Sequence, residues 1–315
     1  MRSTNITEKT DMGRKSTATA TGVLVVNKPQ GVTSHDVVSF VRRAYGTRQV
    51  GHTGTLDPMA TGVLPVLLGR AVKASEFVMA EEKEYIAELT LGVTTDTEDT
   101  TGNILSTCGD IPGEQAVAEA CASFVGEILQ TPPMYSALKV GGKKLYDLAR
   151  EGVTVEREPR RITVGSIEPE KISERVYRLR IVCSKGTYVR TLCADVGRRL
   201  GCGGAMSALC RTRTGRFTLD GAVTLDELEA MTPEERSALP LPTETLFEDL
   251  PAIELEPFFA RLAKNGCEIY LKKIGKSFEI GQTVRMLSDG EFFALGRVGE
   301  YPDGNAVKPV KLFTL

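Results

Sequence analysis

Gly51-His52-Thr53-Gly54-Thr55-Leu56-Asp57-Pro58-Met59-Ala60-Thr61-Gly62-Val63 is the stretch on which the reading of this chain turns. Gly51, Gly54, Pro58 and Gly62 interrupt both the helical and the strand period, so the segment is a shaped loop rather than a regular core element. It carries one of the two histidines, His52, and an acid, Asp57, followed directly by a proline. Pro58 has no N–H to donate and pushes the residue before it into an extended conformation, which fixes the direction of the carboxylate. A carboxylate presented so rigidly suits a nucleophile or a base. The competing reading is an Asp that caps a turn, which is the commoner fate of a generic Asp-Pro. The amount of backbone shaping around this single acid favours chemistry at Asp57.

The 315 residues around this loop are more than one average domain, and two are expected. A hydrophobic content of 41% with 25% charged residues describes a globular chain able to bury a core. No apolar run reaches the length of a membrane span. The Ser/Thr-rich residues 1–21 lack the apolar centre of a secretory signal and are expected to form a disordered tail. Seven cysteines without a C-x-x-C pair, beside only two histidines, argue against a structural zinc site and for reduced thiols in the cytoplasm. The net charge of −2 conceals an asymmetry. Residues 139–216 hold 18 Lys and Arg against 8 Asp and Glu, whereas residues 220–260 hold 1 against 11. A concentrated basic segment is the footprint of a polyanion partner, although a charge run taken alone is more often a solvated face.

Residues 23–27 read as a buried strand ended by the Lys28-Pro29-Gln30-Gly31 turn, after which Ser34 is expected to cap an amphipathic helix that stops at Gly46. Residues 63–68 and 84–92 read as strands, 96–102 as a polar turn and 115–125 as a helix. Residues 132–158 look irregular and basic. Strands are expected at 161–167 and 176–183, the latter alternating Tyr177, Leu179 and Ile181 with Arg178 and Arg180. A helix follows over 188–200, ended by Gly201, and short acidic helices fill 225–250, with Thr232-Pro233 as a start signal. The remainder, from about residue 251, mixes short strands with Asp-Gly turns and predicts a small β-rich domain. Strands and helices interleave without a βαβ rhythm. The fold class is therefore α+β, with a mixed, largely antiparallel sheet and flanking helices.

Nucleotide-cradling glycine motifs, zinc-hydrolase and zinc-deaminase signatures and the G-x-S-x-G elbow are all absent. What remains is an enzyme without a metal or bound cofactor, or a binding protein. Arg190 is expected in the first turn of the 188–200 helix, where its guanidinium could pair with a carboxylate or a phosphate. Its competing reading is an ordinary surface arginine. His52 could contact a phosphate or base, or bond only within its loop. Tyr85, at the start of a strand, could equally belong to the core.

Several separated motifs then fall in one order and spacing. They are the loop 51–63, the Lys28-Pro29-Gln30-Gly31 turn, Lys83-Glu84-Tyr85, Thr131-Pro132-Pro133-Met134-Tyr135-Ser136-Ala137-Leu138-Lys139, and Cys183-Ser184-Lys185-Gly186-Thr187-Tyr188-Val189-Arg190-Thr191. Together they resemble the bacterial tRNA pseudouridine-55 synthases, the TruB family, over roughly residues 22–217. More loosely, Gly290-Glu291-Phe292-Phe293-Ala294-Leu295-Gly296-Arg297 resembles that family's small PUA-type RNA-binding domain.

The resemblance implies a pseudouridine synthase fold, with a catalytic domain over residues 22–245 and a PUA-like domain over 250–315. It implies Asp57 as catalytic residue, Arg190 paired with it, Tyr85 stacked on the target base, His52 holding the T-loop RNA and Tyr188 lining the pocket. Lys28 is counted with the substrate contacts, and residues 133–160 would match a thumb-like loop that closes on RNA. The implied reaction turns uridine into pseudouridine in the tRNA T-arm after the base is flipped out. It breaks N1–C1′, joins C5 to C1′, and requires no cofactor or metal. Asp57 could attack C1′ or act as a base at C2′, and either role needs an ionised carboxylate. The expected protein is a stand-alone cytoplasmic monomer with tRNA as its partner and no need of a guide RNA, a protein partner or a membrane. Its nearest rival is the guide-RNA-directed synthase of archaea and eukaryotes, which carries a similar loop. A non-catalytic tRNA-binding protein and a metal-dependent hydrolase are the readings from other classes.

Overall fold

Nine strands form the main sheet of the computed structural model, which describes residues 20–77 and 82–314. The expected tail over 1–21 lies outside the described residues except for Ala20 and Thr21. The sheet runs in the order Gly22–Lys28, Thr61–Leu68, Gly204–Thr214, Lys83–Leu91, Val176–Cys183, Arg160–Lys171 and Gly126–Gln130, with Val50–His52 and Phe217–Thr218 attached at the side. Every pairing is antiparallel except one, where Thr61 and Gly62 run parallel to Cys210 and Arg211. The sheet is therefore mixed and largely antiparallel, as the sequence predicts.

That single parallel junction sits directly after the shaped loop, and its sequence permits it. Gly62 has φ +106°, and a Cβ there would lie 2.2 Å from the carbonyl oxygen of Arg211. Only glycine allows the two backbones to approach so closely. Pro65, in the same strand, falls where the strand exchanges one neighbour for another. Gly204–Thr214 pairs up to Gly62, and Val50–His52 begins at Val66. A proline can be accommodated in that gap because no ladder bond is demanded of its nitrogen.

Three helices cover the sheet. Ser34–Ala44 is capped by Thr33 in a reciprocal capping box with Asp36, not by Ser34 as its spacing suggests. Ser34 is instead the first helical residue, and its hydroxyl is turned inward. Glu114–Ala122 begins and ends slightly earlier than its sequence pattern predicts. Val189–Arg199 packs on the sheet through Gly197, where a Cβ would lie 2.2 Å from the nitrogen of Gly204. The strand at Arg160–Lys171 is longer than expected, continuing through Pro169 opposite Leu179. The stretch expected to be irregular, 132–158, contains a hairpin of Lys139–Val140 with Lys143–Lys144 and a short helix, Leu145–Arg150.

A second sheet of five strands follows, in the order Ala252–Glu254, Thr283–Ser288, Glu291–Tyr301, Gly304–Leu312 and Ile269–Tyr270. With the helix Pro257–Lys264 it encloses its own core around Ile253, Met286, Phe293 and Val307. The two sheets meet on aromatic side chains. Phe247 lies with its ring centroid 5.8 Å from Phe292, 5.7 Å from Phe313 and 6.4 Å from Phe77. Phe247→Ala should therefore remove about 3–5 kcal/mol of stability, the usual cost of a large buried cavity. Urea denaturation should show it, and a loss below about 1 kcal/mol would mean that this seam does not hold the two sheets together.

Candidate active site

The loop 51–63 is held from below by side chains that the fold has buried. The hydroxyl of Ser34 accepts the N–H of Leu56 at 2.9 Å and donates to the carbonyl of the same residue at 3.1 Å. Leu56 is the residue before Asp57, so a short side chain on a rigid helix fixes the backbone that carries the acid. Pro58 is fastened on its other side, its carbonyl accepting the N–H of Gly31 at 2.8 Å.

Lys28 is not open to a substrate. It is 0% exposed, and its ammonium donates to the carbonyls of Pro29 at 2.9 Å, Val32 at 2.8 Å and Pro58 at 3.4 Å. Burial pushes its pKa down to about 8, with Arg211 adding to the shift and Asp57 opposing it. Its place is that of a fastener between the Pro29–Gly31 turn and the loop, in contrast to the substrate contact expected from the sequence.

Arg211 supports the opposite side of the loop. Its Nε donates to the carbonyl of Val63 at 2.8 Å and its Nη2 to that of Gly54 at 3.1 Å. The hydroxyl of Tyr85, its register partner in the next strand, also bonds to it. Tyr85 is largely buried, and that burial raises its pKa. His52 is half-buried, and its Nδ1 has no hydrogen-bond partner among the described residues. Burial lowers the His52 pKa, with Arg211 and His35 pushing the same way, so the ring is neutral at physiological pH.

Asp57 meets Arg190 of the Val189–Arg199 helix. Arg190 Nε lies 2.9 Å from Asp57 Oδ2, with side-chain exposures of 7% for Arg190 and 38% for Asp57. The guanidinium does not spend its fork on this carboxylate. Nη1 donates to Asp99 Oδ2 at 3.3 Å and to the carbonyl of Thr97 at 3.1 Å, and Nη2 donates to the carbonyl of Tyr135 at 2.8 Å. Asp99 is buried and also accepts from the Thr97 hydroxyl and from the N–H and hydroxyl of Thr101. Sequence reasoning missed it, although the polar turn that holds it was recognised.

Tyr188 is the N-cap of the helix that carries Arg190, and its hydroxyl lies beside Ser136. Of the expected site residues, Asp57, Tyr85, Tyr188 and Arg190 thus converge on one cleft, with His52 at its loop side. Two hollows of about 610 and 300 Å³, which share Glu98, Arg157 and Arg198, lie apart from Asp57. Asp57 lines neither hollow and keeps 38% of its side chain exposed, so it is reached from the surface, as a macromolecular substrate requires.

Comparison with known proteins bears on this geometry. Residues 42–189 match the model of the TruB family pseudouridylate synthase N-terminal domain, and residues 190–248 match that of the tRNA pseudouridylate synthase B C-terminal domain. The tRNA pseudouridine synthase B of Alkaliphilus oremlandii is 44% identical over 88% of this chain and 93% of its own length. That of Syntrophotalea carbinolica is 46% identical over 85% of this chain and 84% of its own. The chain belongs to the TruB family of pseudouridylate synthases.

As a TruB-family protein it is an isomerase, built on the pseudouridine synthase fold with a PUA-like small domain. Among solved structures it is similar to a Cbf5-Nop10-Gar1 complex, with a TM-score of 0.70 and 28% identity over 94% of this chain and 85% of that one. An archaeal box H/ACA Nop10-Cbf5 complex gives 0.68 and 27% over 94% and 87%.

The basic segment of this synthase is less free than its charge count suggests. Arg178 pairs with Glu170 at 3.1 Å, Arg180 with Glu84 at 3.2 Å, Arg161 with Glu127 at 2.9 Å, and Lys171 with Glu114 at 3.2 Å. The three arginine pairs neutralise one another across strands, and Lys171 pairs with the first residue of the Glu114–Ala122 helix. Arg160 has no carboxylate partner among the described residues and is close enough to Tyr188 to influence its hydroxyl. Arg160→Ala should therefore weaken RNA binding and reduce the slope of log affinity against log salt by about 1. Arg178→Ala should leave that slope nearly unchanged; equal slopes for the two variants would refute this division of the cations. Arg190→Lys should lower turnover by about 100-fold, because an ammonium cannot reach Asp57, Asp99 and Tyr135 in three fixed directions. Single-turnover rates decide this, and a near-normal rate would remove the guanidinium geometry from the mechanism.

Proposed function

We propose that this protein converts uridine 55 of the tRNA T-loop into pseudouridine, acting alone and without a cofactor, with Asp57 as its catalytic residue. The observation that carries the reading is the 2.9 Å contact of Arg190 with a half-exposed Asp57. It joins two motifs far apart in sequence into one charged, oriented site reached from the surface. The relatives' printed name, tRNA pseudouridine synthase B, supplies the substrate class.

Residues 22–245 form the catalytic domain in this reading, and residues 250–315 an RNA-binding domain. The target uridine leaves its stack at a cost of a few kcal/mol. Stacking on Tyr85 returns about 1–3 kcal/mol. Asp57 then acts at C1′ or at C2′, the N1–C1′ bond breaks, the base turns, and C5 bonds to C1′. The hydrogen on C5 leaves and N1 gains one, so the product is an isomer of the substrate. His52, neutral and beside the loop, contacts the RNA. Tyr188 lines the pocket, and residues 133–160 close over the bound loop. The protein works as a monomer in the cytoplasm; among the described residues no helix is long and apolar enough to cross a membrane.

The similarity to Cbf5-containing complexes keeps a guide-directed reading in view. Bare tRNA distinguishes the two. Tritium should be released from 5-tritiated uridine in a T-arm stem-loop with no added RNA or protein, and absence of release would sink the stand-alone reading. Asp57→Asn should abolish that release while stem-loop binding stays within about 3-fold, since the isostere keeps the loop's shape. Retained turnover would take Asp57 out of the chemistry.

A further inference from the structure

The chain leaves the main sheet at Gln130 and returns at Arg160, and these two residues are register partners in adjacent strands. They form the neck of the excursion that carries the hairpin and short helix of residues 131–159. Gln130 is 2% exposed, and its amide does not serve its own strand. Its Oε1 accepts the N–H of Tyr188 at 2.8 Å, and its Nε2 donates to the carbonyl of Tyr188 at 3.1 Å. A primary amide can answer a backbone N–H and C=O through two separate atoms, as a neighbouring strand would.

Tyr188 is the N-cap of the Val189–Arg199 helix, and no side chain of its own segment caps that helix. Its φ of −97° and ψ of 104° lie outside the helical region, so its direction must be fixed from elsewhere. Arg190 follows two residues later. The same outgoing segment touches Arg190 itself, through the Tyr135 carbonyl on Nη2 at 2.8 Å. The neck therefore grips the first turn of the helix at two points, once at the backbone and once at the guanidinium.

We infer that Gln130 is a positioning residue, which sets the helix turn bearing Arg190 against the neck of the 131–159 excursion and so holds Arg190 where it meets Asp57. This rests on the proposed function, because it assigns a role within that reaction. Arg160, opposite Gln130 in register, places an unpaired cation at the same neck. The clasp that Gln130 makes on Tyr188 therefore lies beside a cation that an RNA phosphate can meet.

Gln130→Ala removes both bonds. It should lower the single-turnover rate about 100-fold, the scale of a 1 Å displacement of a reacting group, with stem-loop binding within about 3-fold of wild type. Gln130→Glu supplies the test that simple loss of structure would not pass. A carboxylate accepts from the Tyr188 N–H but faces its carbonyl without a proton, whereas the protonated acid restores the donor. Burial raises a carboxyl pKa and the Arg160 cation opposite it in register lowers it, so the acid is tested with that cation removed. The rate of Gln130→Glu in an Arg160→Ala background, relative to Arg160→Ala alone, should rise at least 10-fold as pH falls from about 8 to about 5.5. A ratio that stays flat, or full turnover in Gln130→Ala, would overturn the inference. Loss of binding without loss of rate would do so as well. Wild-type release of tritium is measured in parallel, and its absence would count against the proposed function, not against the clasp.

Discussion

One guanidinium holds the cleft together. A buried arginine is tolerable only when its charge is compensated and its donors are met. Arg190 meets this condition with acceptors from three segments that are distant in sequence: Asp57, Thr97 with Asp99, and Tyr135. Asp57, Thr97 and Tyr135 lie in irregular segments and Asp99 meets the main sheet only through an isolated bridge to Met206, so none has its direction fixed by a ladder of sheet bonds. Moving any of them leaves a donor unmet in a dry place, at about 1–3 kcal/mol each. The arginine is thus a joint as well as a counter-ion.

The joint works because the loop of Asp57 is independently stiff. Ser34 takes both polar groups of Leu56, Lys28 and Gly31 bond to Pro58, and Arg211 reaches under Gly54 and Val63. These contacts come from a helix, a turn and a strand that are themselves locked in the main sheet. The acid is therefore fixed on its backbone side, while its carboxylate meets Arg190 through Oδ2 and stays partly exposed. That division lets a carboxylate remain half-exposed to a large substrate and still keep its orientation.

Much of this was legible in the sequence, and the omissions share one cause. The α+β class followed from alternation and apolar runs, and Asp57 and Arg190 stood out because local motifs surround them. Asp99, Ser34 and Gln130 did not. Their roles depend on contacts 91, 22 and 58 residues away, with nothing unusual in their own neighbourhoods. Lys28 misled in the opposite sense. A lysine beside a Pro-Gln-Gly turn resembles a surface contact, and only the tertiary packing shows all its bonds going to backbone carbonyls. The cap at Thr33 followed the same pattern, since Ser34 was equally good by composition but was needed elsewhere. The surplus of 139–216 fits either a polyanion footprint or a solvated face in the sequence, because partners such as Glu84, Glu114 and Glu127 lie outside that window.

What remains of the charge after this pairing has a definite place. Lys28, Arg190 and Arg211 are buried under or beside the loop, and they face Asp57, Asp99, Asp36 and the largely buried Glu98. Surface pairs are screened within about 8–10 Å at ordinary ionic strength, whereas buried charges act across low-dielectric protein. The ladder of Arg178, Arg180 and Arg161 with their glutamates therefore contributes little field at a distance. The buried cations are thus matched by acids beside them, and they hold the loop without adding a net positive field. Arg160, beside Tyr188 and without a carboxylate partner among the described residues, is the cation near the site that an RNA phosphate can meet, although the chain as a whole carries a net charge of −2.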